Sequence, residues 1–252
     1  MNPFERVWVR QFTAFIIFLG IWETLTRTGV LDPFYAPAPS KVVATLIELF
    51  ASGGIWTHLQ ATFTAALLGL LFGLVIGAVL GFAAALVPLI SELLEPVMIL
   101  LNAVPRVILA PLFVIWLGID LPSKVALSFL LVTVIVFFAV YSGIKEVDVR
   151  LVERVRTLGG GRWVLLREVY IPSVSTWVMG NLKVALGFAF TGAIVGEYVA
   201  ASRGLGYQLQ FAQSQFNTAL VLALIILIMG FVLLLFTVAG RLEKRLLHWR
   251  HE

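Results

Sequence analysis

The sequence predicts an all-α membrane protein with six transmembrane helices, and three observations carry that expectation. The 252 residues are 60% hydrophobic and only 13% charged, with a mean hydropathy of +1.01; soluble domains carry about a quarter charged residues. Apolar runs recur at lengths that approach or exceed the roughly 20 residues a bilayer core requires. Lysine and arginine cluster on one side of the spans, as the positive-inside bias demands. The spans fall at about 11–28, 61–87, 92–118, 122–144, 173–199 and 217–240, within a single domain covering residues 1–252.

Taken in order, the first run follows Arg6 and Arg10 and extends to Leu25. No small-residue cleavage site follows it, so it reads as a membrane span and not as a removed signal. Next comes "LDPFYAPAPSKVVATLIELFASGGIW", whose prolines impose an extended lead-in and whose later half fits a short amphipathic helix at the interface. The third span holds Pro105 and Pro111, which disturb its hydrogen bonding and expose carbonyls that need partners or a water-filled cavity. A polar loop at 145–172 separates spans four and five.

Basic residues orient this series. With the N-terminus in the cytoplasm, the inner side receives Arg6, Arg10, Lys145, Arg150, Arg154, Arg156, Arg162, Arg167, Arg241, Lys244, Arg245 and Arg250. The outer side holds only Arg27, Lys41, Lys124 and Arg203. Both termini and the 145–172 loop are therefore expected in the cytoplasm. The connection with Glu92 and Glu95 carries no base and adds nothing to this assignment.

Several chemistries are excluded. There is no cysteine, hence no disulfide or thiolate metal site, and His58, His248 and His251 lie far apart in sequence. No convergent His, Asp or Ser constellation suggests an enzyme, and no G-x-x-x-x-G-K-[ST] loop is present to bind ATP. No cofactor is expected on this chain. The net charge of +4 reflects topology, and no nucleic-acid partner is expected.

Span two contains "GLLFGLVIGAVLG", in which Gly69, Gly73, Gly77 and Gly81 are four apart and share one helical face. Such a face permits close backbone approach by a neighbour. Tight packing within one subunit, a dimer contact and a moving gate all fit it. Gly192 and Gly196 repeat the spacing in span five.

The loop 145–172 holds "ERVRTLGGGRWVLLREVYIP". Leu151, Val155 and Leu158 recur at helical spacing, with Arg150, Arg154 and Thr157 on another face. Gly159, Gly160 and Gly161 end that helix, and a second short helix fits Arg162 to Val169. Pro172 then marks the start of span five. The residues alone allow two readings: a helix pair projecting into the cytoplasm, or an ordinary positive loop lying on lipid headgroups.

This segment resembles the signature loop of permease subunits in ATP-binding cassette importers. Glu153 fills the signature's acidic position, Gly159 its glycine, and Val169, Ile171 and Pro172 its aliphatic-x-aliphatic-proline ending. Arg154 and Val155 depart from it, standing where the family usually has alanines. "PAPSKV", "PLFVIWLGI", "GEYVAAS", "GLGYQLQFAQSQFNTALV" and "RLEKRLLHWR" are similar to the nitrate, sulfonate and taurine branch, so the likeness spans nearly the whole chain. It implies a type I importer permease fold with a cytoplasmic coupling helix between spans four and five, in the cytoplasmic (inner) membrane. Two permease copies, expected as a homodimer, would sit in the lipid bilayer with two ATPase subunits binding ATP and Mg. An external solute-binding protein would complete the assembly.

On this reading Glu153, Arg154, Gly159, Gly160, Gly161 and Pro172 form the ATPase-coupling surface. Glu153 alternatively forms a local pair with Arg150 or Arg156, worth a few tenths of a kcal/mol. Within the spans, Glu23, Arg106, Lys183 and Glu197 are ionisable, and burying such a group costs about 2.5–3.5 kcal/mol on insertion scales. Glu23 and Glu197 lie near span ends, within reach of water, and Lys183 is placed to snorkel toward the cytoplasm. Arg106, one turn from Asn102, suits an anion pathway shared with Glu197; a structural pair of Arg106 with Glu197 or with backbone carbonyls fits as well. The expected function is import of a small anion, with an ATP-independent transporter or channel as the alternative.

Overall fold

The computed structural model describes residues 3–246, with side chains from 7 to 241 apart from that of Arg106. Among the described residues every regular element is a helix. Helices α1 (Pro3–Arg27) and α2 (Pro39–Ala51) precede α3 (Ile55–Leu86), and α4 (Pro88–Ala103) and α5 (Leu109–Leu117) flank a 3-10 turn at Arg106–Ile108. Then come α6 (Leu121–Lys145), α7 (Val149–Thr157), α8 (Arg162–Leu165), α9 (Ile171–Val199), α10 (Leu205–Ser214) and α11 (Thr218–Leu246). Among the described residues four helices are long and apolar enough to cross a membrane: α3, α6, the continuous Arg162–Val199 rod and α11.

Two expectations are corrected here. The third span is not one helix: α4 stops at Ala103 and α5 starts at Leu109. Val104 is the reason, since the following Pro105 disfavours the α region and Val104 is extended at φ −68°, ψ 131°. Pro111 does no comparable damage, because it sits in the first turn of α5, where an amide would lack a partner anyway. Secondly, Arg162–Val169 is not a separate short helix ending before span five. It runs without a break through a π turn at Leu166–Tyr170 into α9. Pro172 cannot donate a hydrogen bond, and the wide turn absorbs the defect by bonding Ile171 N–H to the Leu166 carbonyl.

Helix α6 is the centre of the bundle, held between α3 and α9. The glycine row of α3 faces it within the same chain. A Cβ added at Gly73 would lie 2.5 Å from Val132 Cβ, one at Gly77 2.7 Å from the Thr133 carbonyl oxygen, and one at Gly81 2.8 Å from that of Phe137. From the other side Gly192 admits the α6 backbone, its absent Cβ 2.6 Å from Ser128 Cα, and Ser128 Oγ donates to the Ala189 carbonyl at 2.9 Å. Helix α3 thus turns Gly, Ala and Thr inward, while Leu67, Leu71, Phe72, Val75 and Val79 stay exposed. That pattern suits a lipid solvent, where close backbone packing and not apolar burial holds helices together.

The amphipathic helix expected after the first span is α2. Ala38 gives its N-terminus no side-chain cap, and Glu23 supplies one from α1 by accepting from Ser40 N–H at 3.0 Å and Ser40 Oγ at 2.8 Å. Arg27 completes the contact at 2.6 Å. Glu23 is therefore accounted for as a strap between α1 and α2.

Candidate functional site

The Arg162–Val199 rod carries a candidate site at each end. At 1.5 Å per residue its 38 residues span about 57 Å, longer than a bilayer core of about 30 Å. One end therefore projects, and α7 folds back against it.

Helix α7 starts at Asp148, whose side chain accepts from Arg150 N–H at 2.8 Å, an N-cap satisfying one otherwise unpaired donor. It ends in a Schellman motif: Gly160 N–H bonds the Val155 carbonyl at 2.9 Å and Gly159 N–H that of Arg156 at 3.0 Å. Gly159 is at φ +81°, and a Cβ on Gly160 would lie 2.5 Å from Val155 Cγ1, so both glycines are needed. Gly161 has open space around its Cα and an extended backbone, so geometry does not require glycine there.

The expected apolar stripe divides in two. Val155 turns partly inward with Val152, whereas Leu151 and Leu158 face out. Leu158 (81% exposed) and Trp163 (71% exposed) stand on either side of the glycine turn, and Glu153 and Arg154 are exposed beside them. Among the described residues no ion pair joins Glu153 to Arg150 or Arg156, so the local-pair reading of Glu153 is not realised. The turn presents two large apolar side chains and an uncommitted carboxylate on one projecting surface.

At the opposite end of the rod, Glu197 is only 2% exposed. It does not sit free at a span end in water. Its Oε2 accepts from Thr62 Oγ1 at 2.8 Å and from Gly206 N–H at 2.9 Å, while Thr62 Oγ1 accepts from Leu205 N–H at 2.9 Å. Gly204 N–H donates to His58 Nδ1 at 3.0 Å. Since Nδ1 accepts, the ring proton is on Nε2, and the Gln208 amide, whose Nε2 stands 2.7 Å from that nitrogen, pairs with it once its oxygen and nitrogen are exchanged. The first amides of α10, which have no intrahelical acceptors, are thus satisfied by α3 and α9 side chains. A Cβ on Gly204 would collide with the Glu197 carboxylate, and one on Gly206 would lie 2.8 Å from Glu197 Cβ. Both glycines of "GLG" are what lets α10 seat on this carboxylate.

Glu197 also lines a cavity of about 420 Å³ with Gln60, Thr64, Asp120, Lys124 and Arg203. Lys124 is 4% exposed and directs its ammonium to the carbonyls of Ile119 and Asp120. Asn102 is exposed at the end of α4 and is not in this cavity wall. Arg106 begins the 3-10 turn of the broken third span, and its side chain lies outside the described residues. The expected trio is therefore not assembled around one site: Glu197 belongs to the cavity, Asn102 to the α4 terminus.

His58, Thr62, Gln208 and Lys124 were missed by sequence reasoning. The signal available was a carboxylate seven residues before Gly204-Leu205-Gly206 at a helix start, where unpaired amides need an acceptor. Among the described residues no group of His, Cys, Asp and Glu is arranged to hold a metal ion.

A bundle with glycine faces inward, leucine faces outward and a polar cavity at one end defines an integral membrane protein of the permease type. The chain belongs to the family described as "Binding-protein-dependent transport system inner membrane component", whose model matches residues 73–248, and it is an ABC importer permease of that family. It is 34% identical over 234 residues to the riboflavin transport system permease protein RibX of Chloroflexus aurantiacus, covering 93% of this chain and 87% of that one. It is 29% identical over 255 residues to the taurine transport system permease protein TauC of Escherichia coli, covering 99% and 93%. The fold matches an inward-facing MetNI methionine ABC transporter with a TM-score of 0.60 at 18% identity, over 77% of this chain and 94% of that one.

Proposed function

We propose that this chain is the six-span permease of an ATP-driven importer, working as a homodimer with two separate ATPase subunits and an external binding protein. The observation that carries the proposal is the uninterrupted Arg162–Val199 rod. It links the projecting glycine turn, at one end, to the Glu197 cavity at the other. The chain has no phosphate loop of its own, so work must enter through a protein contact. The turn, with Leu158, Trp163 and the unpaired Glu153, is the surface an ATPase would grip in the cytoplasm. Closure of the two ATPases moves the rods as rigid bodies and switches the cavity between inward and outward access. A small anion is the proposed cargo, a class supported by relatives named for taurine and aliphatic sulfonates; the cavity wall sets two bases, Lys124 and Arg203, beside two acids, Asp120 and Glu197.

Replacing Glu153 by Lys tests the coupling surface. Membrane insertion is expected to be unchanged, because the side chain is exposed and unpaired. Copurification of the ATPase, or the dependence of its hydrolysis on transport, is expected to fall at least severalfold. A variant with wild-type assembly, hydrolysis and uptake would remove Glu153 from this role.

Arg106 and Asn102 are proposed to line the path where the third span breaks. Uptake into reconstituted vesicles, normalised to assembled complex, is expected to fall further for Arg106→Ala than for Arg106→Lys, which keeps the charge but loses the planar fork. Normal uptake per complex by the Ala variant would make Arg106 a structural residue.

A further inference from the structure

One wall of the Glu197 cavity hangs on a histidine. Residues 201–204 join α9 to α10, and Ala201, Ser202 and Arg203 of that segment line the cavity. The segment ends at the buried Gly204, whose N–H donates to Nδ1 of His58 at 3.0 Å. His58 itself is half-buried on α3, behind that wall, with its ring stacked on Tyr207 of α10 at 5.9 Å between centroids. The Gln208 amide takes its other nitrogen. The ring is thus held between the 201–204 segment and the first turns of α10, and the bond to Gly204 lasts only while Nδ1 keeps a free lone pair.

Histidine ordinarily changes charge between about pH 5 and 8. A proton added here goes to Nδ1, because Nε2 already carries one. Nδ1–H would then face the Gly204 N–H, donor against donor, and the 3.0 Å contact is lost. The bond from Nε2–H to Gln208 survives, so the break is confined to the cavity side of the ring. The charges around the ring come from several elements. Arg203, next to Gly204, repels an imidazolium and rides on the segment to be released. Glu197 of α9 attracts one, but its Oε2 is already taken by Thr62 and Gly206. On α6, Asp120 and Lys124 bring opposite charges to the same cavity. Helix α2, packed beside Ile55 and Leu59, carries Lys41 and Glu48, both exposed, and α11 has no titratable residue between Thr218 and Gly240. We propose that His58 is a positioning residue for the cavity: neutral, it latches the 201–204 wall, and protonated it lets that wall go. Provided the cavity is the cargo path proposed above, transport then weakens as the compartment on the α10 side acidifies.

Leu205→Cys places a single thiol at a buried position directly after Gly204. In the full chain held in lipid nanodiscs, its maleimide labelling is divided by that of Ser52→Cys, an exposed position after α2. The division removes the intrinsic fall of thiol reactivity in acid. Between about pH 7.5 and about pH 5 the ratio is expected to rise about threefold or more. His58→Asn keeps an acceptor in place of Nδ1 and does not titrate, so with it the ratio is expected to stay at its neutral value. A ratio indifferent to pH without that change, or one rising equally with it, would overturn the latch. Uptake by the assembled complex in vesicles is read in parallel, with pH varied on the α10 side. Relative to the unmodified complex, His58→Asn is expected to match it at neutral pH and exceed it about threefold at about pH 5. Labelling that follows pH while relative uptake stays level would sustain the latch and remove the cavity from the cargo path, so the two readings fail separately.

Discussion

Leucine at Gly73 or Gly77 is expected to leave little folded protein in the membrane. The helices α3 and α6 meet there backbone to side chain, with no slack. Even a methyl at Gly73 would sit 2.5 Å from Val132 Cβ, and at Gly77 2.9 Å from Val136 Cβ as well as against the Thr133 carbonyl. Val132 and Val136 are themselves immobilised, buried in the core that also takes in Ala189 and Ala193 of α9. Helix α6 has no room to retreat, because Gly192 brings α9 onto the Ser128 backbone from behind. Overpacking by extra methylenes costs about 1–3 kcal/mol where a core relaxes, and this one is pinned on two sides. Stabilities of about 5–15 kcal/mol leave a narrow margin for a leucine that separates two helices. The control is Gly230→Leu on α11 or Gly20→Leu on α1, since nothing lies within 4 Å of a Cβ at either position. Those variants are expected to accumulate and melt like the unmodified protein. Wild-type folded yield and thermal midpoint for Gly77→Leu would show that the α3–α6 packing argument is wrong.

That glycine face was legible in the sequence because a spacing of four on an apolar helix has one geometric consequence, a groove. What the groove receives was not legible: packing within the chain, a second copy and a gate all satisfy the spacing, and only the position of Val132 and Val136 decides. The ends of α6 were readable for a similar reason, since Asp120 precedes its apolar run and Lys145 and Glu146 close it. The third span failed because hydropathy averages over the Val104–Pro105 break, whereas backbone geometry responds to that single dipeptide. The rod was cut too early for the opposite reason. Pro172 is a sound stop signal locally, but a π turn one residue away satisfies the chain without stopping. At the cavity end, Thr62 and Glu197 are 135 residues apart, and no periodicity relates them. Two polar residues near the ends of separate spans look like ordinary boundary residues until the fold brings them within 2.8 Å.

Glu197→Ala is expected to release α10 from the bundle. The carboxylate accepts two bonds in a nearly dry setting, and its loss strands the Gly206 N–H, while Thr62 Oγ1 keeps the His58 carbonyl at 3.2 Å as an acceptor. A buried polar group left without a partner costs about 1–3 kcal/mol, and the start of this ten-residue helix then keeps only its bonds to His58 and Thr62 of α3. The release can be read directly. Leu205 is buried under the first turn of α10, and in this cysteine-free chain Leu205→Cys introduces one thiol there. A membrane-impermeant maleimide applied from the α10 side is expected to leave that thiol unlabelled in the parent and to label it readily when Glu197→Ala is added. Glu197→Gln separates anchoring from charge. Its amide oxygen still accepts from Thr62 and Gly206, so the thiol is expected to remain protected. The cavity beside Lys124 nevertheless loses a negative charge, and uptake per assembled complex is expected to fall. Wild-type uptake with Glu197→Gln would confine Glu197 to its anchoring part. Continued protection of the thiol in Glu197→Ala would overturn the anchoring part as well, because the bonds to Thr62 and Gly206 would then not be what holds α10 in place.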